Sequence, residues 1–203
     1  MKLVSIARSV ALALLSLIWL APLSVSNVAW GQSEAHQHNA SASAPSSAAE
    51  VSFNQLKALA GTWQGPITTD PKIPQVAADT RGTVLMRVTS RGNALVHEIH
   101  DPSEPDDPAK YDHPVTMFYM DGDRLLLTHY CDAGNRPRMA ARVSPDGKTV
   151  EFDFLDVAGS TQHGHMHHAV FTIIDSNHHI EDWTYMMPGD KPLHARFDLQ
   201  RVK

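Results

Sequence analysis

The pattern of apolar and polar positions changes near residue 51, where a helical repeat begins. Phe53, Leu56 and Leu59 recur three residues apart, as they do on one face of a helix. Ser52 is followed three residues later by Gln55, a spacing typical of a capping box. The pattern therefore predicts a short helix that starts at Ser52 and stops before a Gly-x-Trp segment.

After this helix the chain alternates with a period of two and is divided by turn residues. Asp121-Gly122-Asp123, for example, is a strong hairpin signal between two apolar runs. About ten strands are predicted, with no helical pattern between them. They span residues 62–68, 81–89, 94–100, 115–121, 124–132, 138–143, 149–157, 167–174, 179–187 and 194–202. This spacing predicts an antiparallel all-β fold, either a sandwich or a closed barrel.

The segment around Gly61 and Trp63 resembles the opening of lipocalins and their barrel relatives, in which a short helix leads into Gly-x-Trp on the first strand. The resemblance covers residues 53–203 and implies a lipocalin-like antiparallel barrel of 8–10 strands. It also implies that the tryptophan plugs the closed end of the barrel, with a basic residue of the final strand over its indole. Arg201 is the first choice for that residue and Arg196 the second.

A second set of segments points to a smaller group within these barrel proteins. Residues 117–123, 127–131 and 134–139 are similar to a group of exported bacterial lipocalin-like proteins of unassigned function. This likeness implies a fold and a location, but it does not imply a substrate.

The first 31 residues are typical of a signal peptide. Lys2 and Arg8 precede an apolar run that is too short to span a membrane comfortably, and Ala29-Trp30-Gly31 offers a cleavage site. Residues 32–50 contain no aliphatic side chain larger than alanine, which predicts a disordered linker. The expected organisation is a signal peptide at 1–31, a linker at 32–50 and a barrel domain at 51–203, in a periplasmic or secreted protein without an integral membrane segment in its mature form.

The net charge limits the classes of partner, and the cysteine content limits how the fold is stabilised. Cleavage after Gly31 would leave 15 Lys and Arg against 22 Asp and Glu, a net charge near −7. Nucleic acids and anionic membranes need a basic face, so neither is expected as a partner. Cys131 is the single cysteine, and it can form no internal disulfide. The domain must therefore be held together by its hydrophobic core.

The interior of such a barrel can hold one small, mainly apolar molecule. Candidate ligand-binding residues are His129, Cys131, Tyr119, Met117 and Trp183. Two of these, His129 and Cys131, are two residues apart on a predicted strand and should project to the same side. Together they could ligate haem or a soft metal, or simply be a buried thiol beside a hydrogen-bonded imidazole.

A second cluster of candidate ligands lies in a Gly- and His-rich stretch. In an extended chain His163, His165 and His167 would share one face, and neutral imidazoles bind zinc, copper and nickel. Solvated loop histidines are the alternative interpretation.

The sequence thus leaves three functions open. These are binding of a small apolar ligand, histidine-based binding of a metal or haem, and acid–base catalysis inside the barrel. No phosphate loop, nucleophile elbow or HExxH motif is present, so catalysis has no positive support in the sequence.

Overall fold

The structure is a computed structural model that describes residues 46–74, 76, 79–101, 107, 109–144 and 147–203. The predicted signal peptide and the part of the linker before residue 46 lie outside the described residues. One helix, α1 (Ala48–Ala58), precedes ten strands. The strands are β1 (Gly61–Asp70), β2 (Arg81–Thr89), β3 (Ala94–His100), β4 (Val115–Asp121), β5 (Arg124–Tyr130), β6 (Arg136–Val143), β7 (Thr149–Ala158), β8 (His165–Asp175), β9 (His178–Met187) and β10 (Lys191–Arg201).

The strands form a closed barrel in which every strand pairs antiparallel with its neighbours in sequence. The ring closes between β1 and β10, where Trp63 lies opposite Arg201 and Ile67 opposite Phe197. The predicted all-β antiparallel barrel with a short N-terminal helix is therefore confirmed. Among the described residues, no helix is long and apolar enough to cross a membrane.

Helix α1 begins earlier than predicted, at Ala48 instead of after Ser52. Ser47 and Glu50 form the capping box, with the Glu50 N–H donating to Ser47 Oγ at 3.1 Å and the Ser47 N–H to Glu50 Oε2 at 2.9 Å. Ser52 lies inside the helix, where its hydroxyl donates to the Ala48 carbonyl. The predicted cap was wrong because the first helical turn is alanine-rich and buries little, so it resembled linker.

One end of the barrel is closed by α1 and by Trp63, which is fully buried. The helix contacts β2, β4, β5 and β6 and buries Phe53 and Leu56 against the core. The indole N–H of Trp63 donates to the Leu59 carbonyl at 2.7 Å, which satisfies a polar group that would otherwise be orphaned in the core.

Arg201 covers the outer side of this plug. Its guanidinium carbon lies 4.1 Å from the centre of the Trp63 ring, and its N–H groups donate to the carbonyls of Ala58, Ala60 and Ser176. Gly61 makes room for the arginine, since a Cβ there would lie 2.5 Å from Arg201 Nη1, and its φ of 142° also favours glycine. Arg196, the second choice, instead forms an ion pair with Asp182 on the outer surface.

Candidate functional site

A cluster of polar side chains lies inside the barrel. His97 on β3, Thr116 on β4, His129 on β5 and both His179 and Glu181 on β9 have 1 % exposure or less. They alternate along their strands with residues of the outer face and lie among core side chains such as Phe118 and Phe171. A polar group in such surroundings is costly unless it is hydrogen-bonded, so the bonds of this cluster decide what it does.

Glu181 is the centre of the cluster and is bound by three N–H donors. His179 Nε2 lies 2.9 Å from its Oε1, while His97 Nε2 at 2.9 Å and Trp183 Nε1 at 3.0 Å bind Oε2. Burial by itself raises the pKa of this carboxyl. The charge of His97, the hydrogen bonds from both imidazoles and the charge of His179 outweigh it, and the pKa lies well below its usual range. Glu181 is therefore an ionised carboxylate in the core.

The bond from His97 to Glu181 spans the barrel interior. His97 is on β3, which pairs with β2 and β4, whereas Glu181 is on β9, which pairs with β8 and β10. The pair therefore joins two walls that share no backbone hydrogen bond. The alternating residues His179, Glu181 and Trp183 extend this polar line along β9 from the plug towards the middle of the barrel, since His179 lies edge-on to Trp63.

His129 lies beside this line and is held differently. Its Nδ1 is 2.8 Å from Thr116 Oγ1, and its ring centre is 5.7 Å from that of Trp183. Burial, and next the charge of His97, lower its pKa to about 3. The imidazole is therefore neutral at pH 7, and only one of its two nitrogens is used by the protein.

Three buried ring nitrogens of the cluster have no hydrogen-bond partner among the described residues. They are His97 Nδ1, His129 Nε2 and His179 Nδ1. Native structures pair nearly all their buried polar atoms, and each exception calls for a water, an ion or a ligand. Of the three rings, that of His129 is the one that makes no hydrogen bond to Glu181.

Above His129 and Trp183, towards the end opposite α1, the inward-facing side chains are only partly buried. Ile67, Ile99 and Ala195 pack against the core but keep some exposure. Phe154 and Tyr185, two residues beyond the buried Phe152 and Trp183 on their strands, are also half-exposed. The inward side chains at this end are therefore less buried than those around Trp63, and we call this end the open half. The half around Trp63, Phe118 and Phe152, whose side chains are 0 % exposed, is the closed half.

The predicted metal-binding histidines lie at the rim of the open half. His165 Nε2 is 3.1 Å from His167 Nδ1, and Phe154 contacts both rings. His163 is exposed and hydrogen-bonds to Gln162 instead. The described residues contain three groups of His, Cys, Asp or Glu whose ligand atoms all lie within 4.8 Å of one another. None of these groups contains His163, His165 or His167. Burial, then the neighbouring His167, lowers the pKa of His165.

The other predicted ligand-binding residues are divided between the two faces. Trp183 is 2 % exposed and inside, next to His129. Tyr119 and Met117 alternate with the buried Thr116 and Phe118 and so belong to the outer face, where the Tyr119 hydroxyl is 3.1 Å from Thr128 Oγ1. These two therefore lie outside the barrel interior, because the strand presents its opposite face inward.

Cys131 is separate from His129 in the structure. β5 ends at Tyr130, so Cys131 lies beyond the strand, half-buried and close enough to Asp112 and Asp132 to form a possible ligand group with them. Burial first, and then the charges of these two aspartates, raise the pKa of the thiol, although a backbone hydrogen bond from Ala133 acts the other way.

The sequence did not predict that His97, His179 and Glu181 meet inside the barrel. The signal was present, since residues 179, 181 and 183 alternate on one strand and must share a face. What the sequence could not provide was the partner of Glu181, because His97 is 84 residues away.

The fold and its interior define a closed ten-stranded antiparallel barrel with a buried polar cluster. No family model matches the chain, and no curated protein matches it. Among solved structures, it is similar to a protein of unknown function from the DUF3598 family of Nostoc punctiforme, with 11% identity and a TM-score of 0.39. That match covers 73% of this chain and 49% of the neighbour, so this chain spans about half of the neighbour's length. At this score the likeness carries no argument, and membership of the lipocalin superfamily stays a prediction.

Proposed function

We propose that this protein binds one small, neutral and mainly apolar molecule in the open half of the barrel, with a polar group of that molecule at His129 Nε2. The observation that carries the proposal is the buried, unpartnered Nε2 of a neutral imidazole at the floor of this half. Because this nitrogen is buried, a ligand would reach it by displacing the side chains above it. It would then supply the missing hydrogen bond and cover the partly exposed apolar walls.

The chemistry of the walls supports a neutral ligand. Ile67, Ile99 and Trp183 offer apolar and aromatic surface, and the imidazole of His129 is uncharged. Glu181, the charged group nearest the floor, already accepts hydrogen bonds on both of its oxygens. A charged ligand would lose its hydration without gaining an opposite charge, which is unfavourable in an interior of this kind.

Titration with 1-aminoanthracene, a neutral aromatic fluorophore with one amine, tests the proposal. We expect saturable binding with enhanced fluorescence, and about tenfold weaker binding by His129→Leu, which removes one hydrogen bond. Tyr119→Phe, a similar loss of one polar group on the outer face, is the matched control and should bind like the wild type. Equal affinity in all three proteins would refute the role of His129.

Mass spectrometry of the intact protein, purified from its own host under native conditions, tests for the natural ligand. A single additional small mass that disappears in His129→Leu would support the proposal. A protein without any bound molecule that also fails to bind the fluorophore would overturn it.

Export is part of the proposal and depends on the first 31 residues. A basic start, an apolar run and the small residues before Gln32 support cleavage after Gly31. N-terminal sequencing of protein from the periplasm or culture medium should therefore begin at Gln32. An intact N-terminus at Met1 in the cell-associated fraction would contradict export with cleavage.

Haem and metal binding remain predictions from the sequence. Haem held by His129 or Cys131 would give a strong Soret band, and a metal at His163, His165 and His167 would appear in elemental analysis of tag-free protein. Neither the acid–base catalysis considered above nor a defined substrate gains support from the buried, fully engaged carboxylate of Glu181.

A further inference from the structure

A second set of potential ligands lies on the outer face of the barrel, near its open end. Glu98 and His100 alternate on β3 and so project to the same side, opposite to the buried His97. His113 lies just before β4. The ladder between β3 and β4 pairs Glu98 with Val115 and continues with the bond from Ile99 N–H to the Pro114 carbonyl. The same register places His113 opposite His100.

The side chains of these three residues converge. The rings of His100 and His113 have their centres 4.7 Å apart, and one ligand atom from each of the three residues lies within 4.8 Å of the other two. His100 Nε2 and Glu98 Oε1 are 3.4 Å apart, which is longer than a good hydrogen bond. It is close to the separation of about 3.3 Å between two ligands of a tetrahedral zinc ion with bonds of about 2.0–2.1 Å.

Two other groups of three potential ligands among the described residues are less suitable. Glu151, Asp153 and His168 approach each other as closely, but Arg142 already forms ion pairs with both carboxylates. In the third group, Cys131 lies between Asp112 and Asp132, and burial together with these charges favours its protonated form.

Glu98 and His100, in contrast, face neutral positions on the neighbouring strand. Leu85 lies opposite Glu98, and Thr83 lies opposite His100. Neither of these positions offers a cation that would compete for the carboxylate. The two side chains are about 30 % exposed (28 % and 31 %), so an ion can reach them while part of its hydration is removed.

We propose that Glu98, His100 and His113 form a binding site for a divalent transition metal of the zinc type. Two imidazoles and one carboxylate are the protein ligands of many zinc sites in which a further position is left to water or substrate. His113 and the adjacent Asp112 also line a surface pocket of about 450 Å³ with Tyr111 and Tyr130. A metal held by His113 would therefore have its remaining position beside a pocket that can admit a small molecule.

Zinc binding to the tag-free full chain, measured by calorimetry and elemental analysis, tests this site. We expect one tight equivalent of Zn²⁺. His100→Ala and His113→Ala should each weaken binding by more than the roughly 10–100-fold that changes to outer-shell residues cause. Glu98→Gln, which keeps the shape of the side chain, should also weaken it. His168→Ala and the double change His165→Ala/His167→Ala are the controls, and both should retain the equivalent.

Cobalt provides a readout that does not depend on affinity or on how well a variant folds. Co²⁺ in the wild-type chain should show the visible bands of a low-coordinate nitrogen and oxygen site, without a thiolate-to-cobalt charge-transfer band. Such a band would place the metal at Cys131 and overturn the proposal. No binding at millimolar Zn²⁺, or binding lost only with His165 and His167, would overturn it as well. Since this site is outside the barrel, failure here would leave the interior ligand proposal unaffected.

Discussion

The closed and open halves of the barrel are built from the same strands but differ in how their inward side chains are used. Around Trp63, Phe118 and Phe152 most inward side chains are fully buried, although Met120 and Ile173 keep some exposure. The buried polar groups there are gathered around the carboxylate of Glu181. Above Trp183, inward residues such as Ile99 and Tyr185 remain half-exposed. The difference indicates that more of the folding stability comes from the closed half, where more apolar surface is buried.

The largest effect is expected when the plug of the closed half is removed. Trp63→Ala should lower the free energy of unfolding by about 4 kcal/mol, because it leaves a large cavity and removes the surface under Arg201. Ile99→Ala, in the open half, should cost only about 1 kcal/mol, because that side chain is half-exposed. Urea unfolding of both variants measures the contrast, and similar losses would show that the halves do not differ in this way.

The second prediction concerns the carboxylate at the centre of the closed half. Glu181→Gln should cost about 3 kcal/mol, because an amide cannot accept from His97, His179 and Trp183 as a carboxylate does. Glu151→Gln, at an exposed ion pair with Arg142, is the control and should cost less than about 1 kcal/mol. If the two changes cost the same in chemical denaturation, the interior link contributes little to stability.

The third prediction concerns His129, whose neutral state can be tested by the pH dependence of folding stability. The pKa of His129 is lowered to about 3, against 6.5 in the unfolded chain, so below pH 6.5 the unfolded state takes up a proton that the folded state does not. Folding stability from this residue is therefore complete above pH 6.5 and falls as the pH decreases towards 3. Between pH 7 and pH 5 the wild type should lose about 2 kcal/mol more than His129→Gln.

Denaturant unfolding at the two pH values provides the measurement. The wild type and His129→Gln share every other titrating group, so the difference between their losses isolates His129. Parallel pH profiles of the two proteins would mean that His129 takes up its proton as readily in the folded state as in the unfolded state. The conclusion that its imidazole is neutral in the folded protein would then be wrong.

The smallest effect is expected at the rim of the open half. The Tyr185 hydroxyl donates to the His163 carbonyl at 2.7 Å and holds the segment that precedes β8. Tyr185→Phe should lower global stability by only about 0.5–1 kcal/mol, but it should speed amide exchange in residues 159–164. Tyr119→Phe, which alters the outer face, should leave exchange in that segment unchanged. An unaltered exchange rate in Tyr185→Phe would show that the segment is held by other contacts.

Most of the strand pattern was predictable from local signals. β2, β3 and β4 begin and end where the alternation and the turn residues placed them, because each is bounded by residues that break a ladder. β8 begins two residues earlier than predicted, at His165, because histidines after glycines resemble a loop. The ladder with β9, in which His165 lies opposite Met186, keeps these residues in the strand.

The interior site was much less predictable, since alternation gives two faces without saying which one is inside. Met117 and Tyr119 are as apolar as Thr116 and Phe118, and the sequence offers no local reason to choose between them. The pairing of His97 with Glu181 depends on the barrel closing, because the two strands meet only across its interior. From the sequence alone, Glu181 therefore could not be distinguished from a charged residue on the outer face of the strand.

The closure between β1 and β10 has a consequence for how the protein behaves at high concentration. In the closed ring of these ten strands, neither β1 nor β10 is left as an edge onto which a second chain could add. The carbonyl anchors of Arg201 hold the end of β10 at this seam. Release of β10 would leave β1 and β9 with unpaired backbone edges. Variants that weaken the pairing of β10 are therefore expected to self-associate into fibrils or amorphous precipitate.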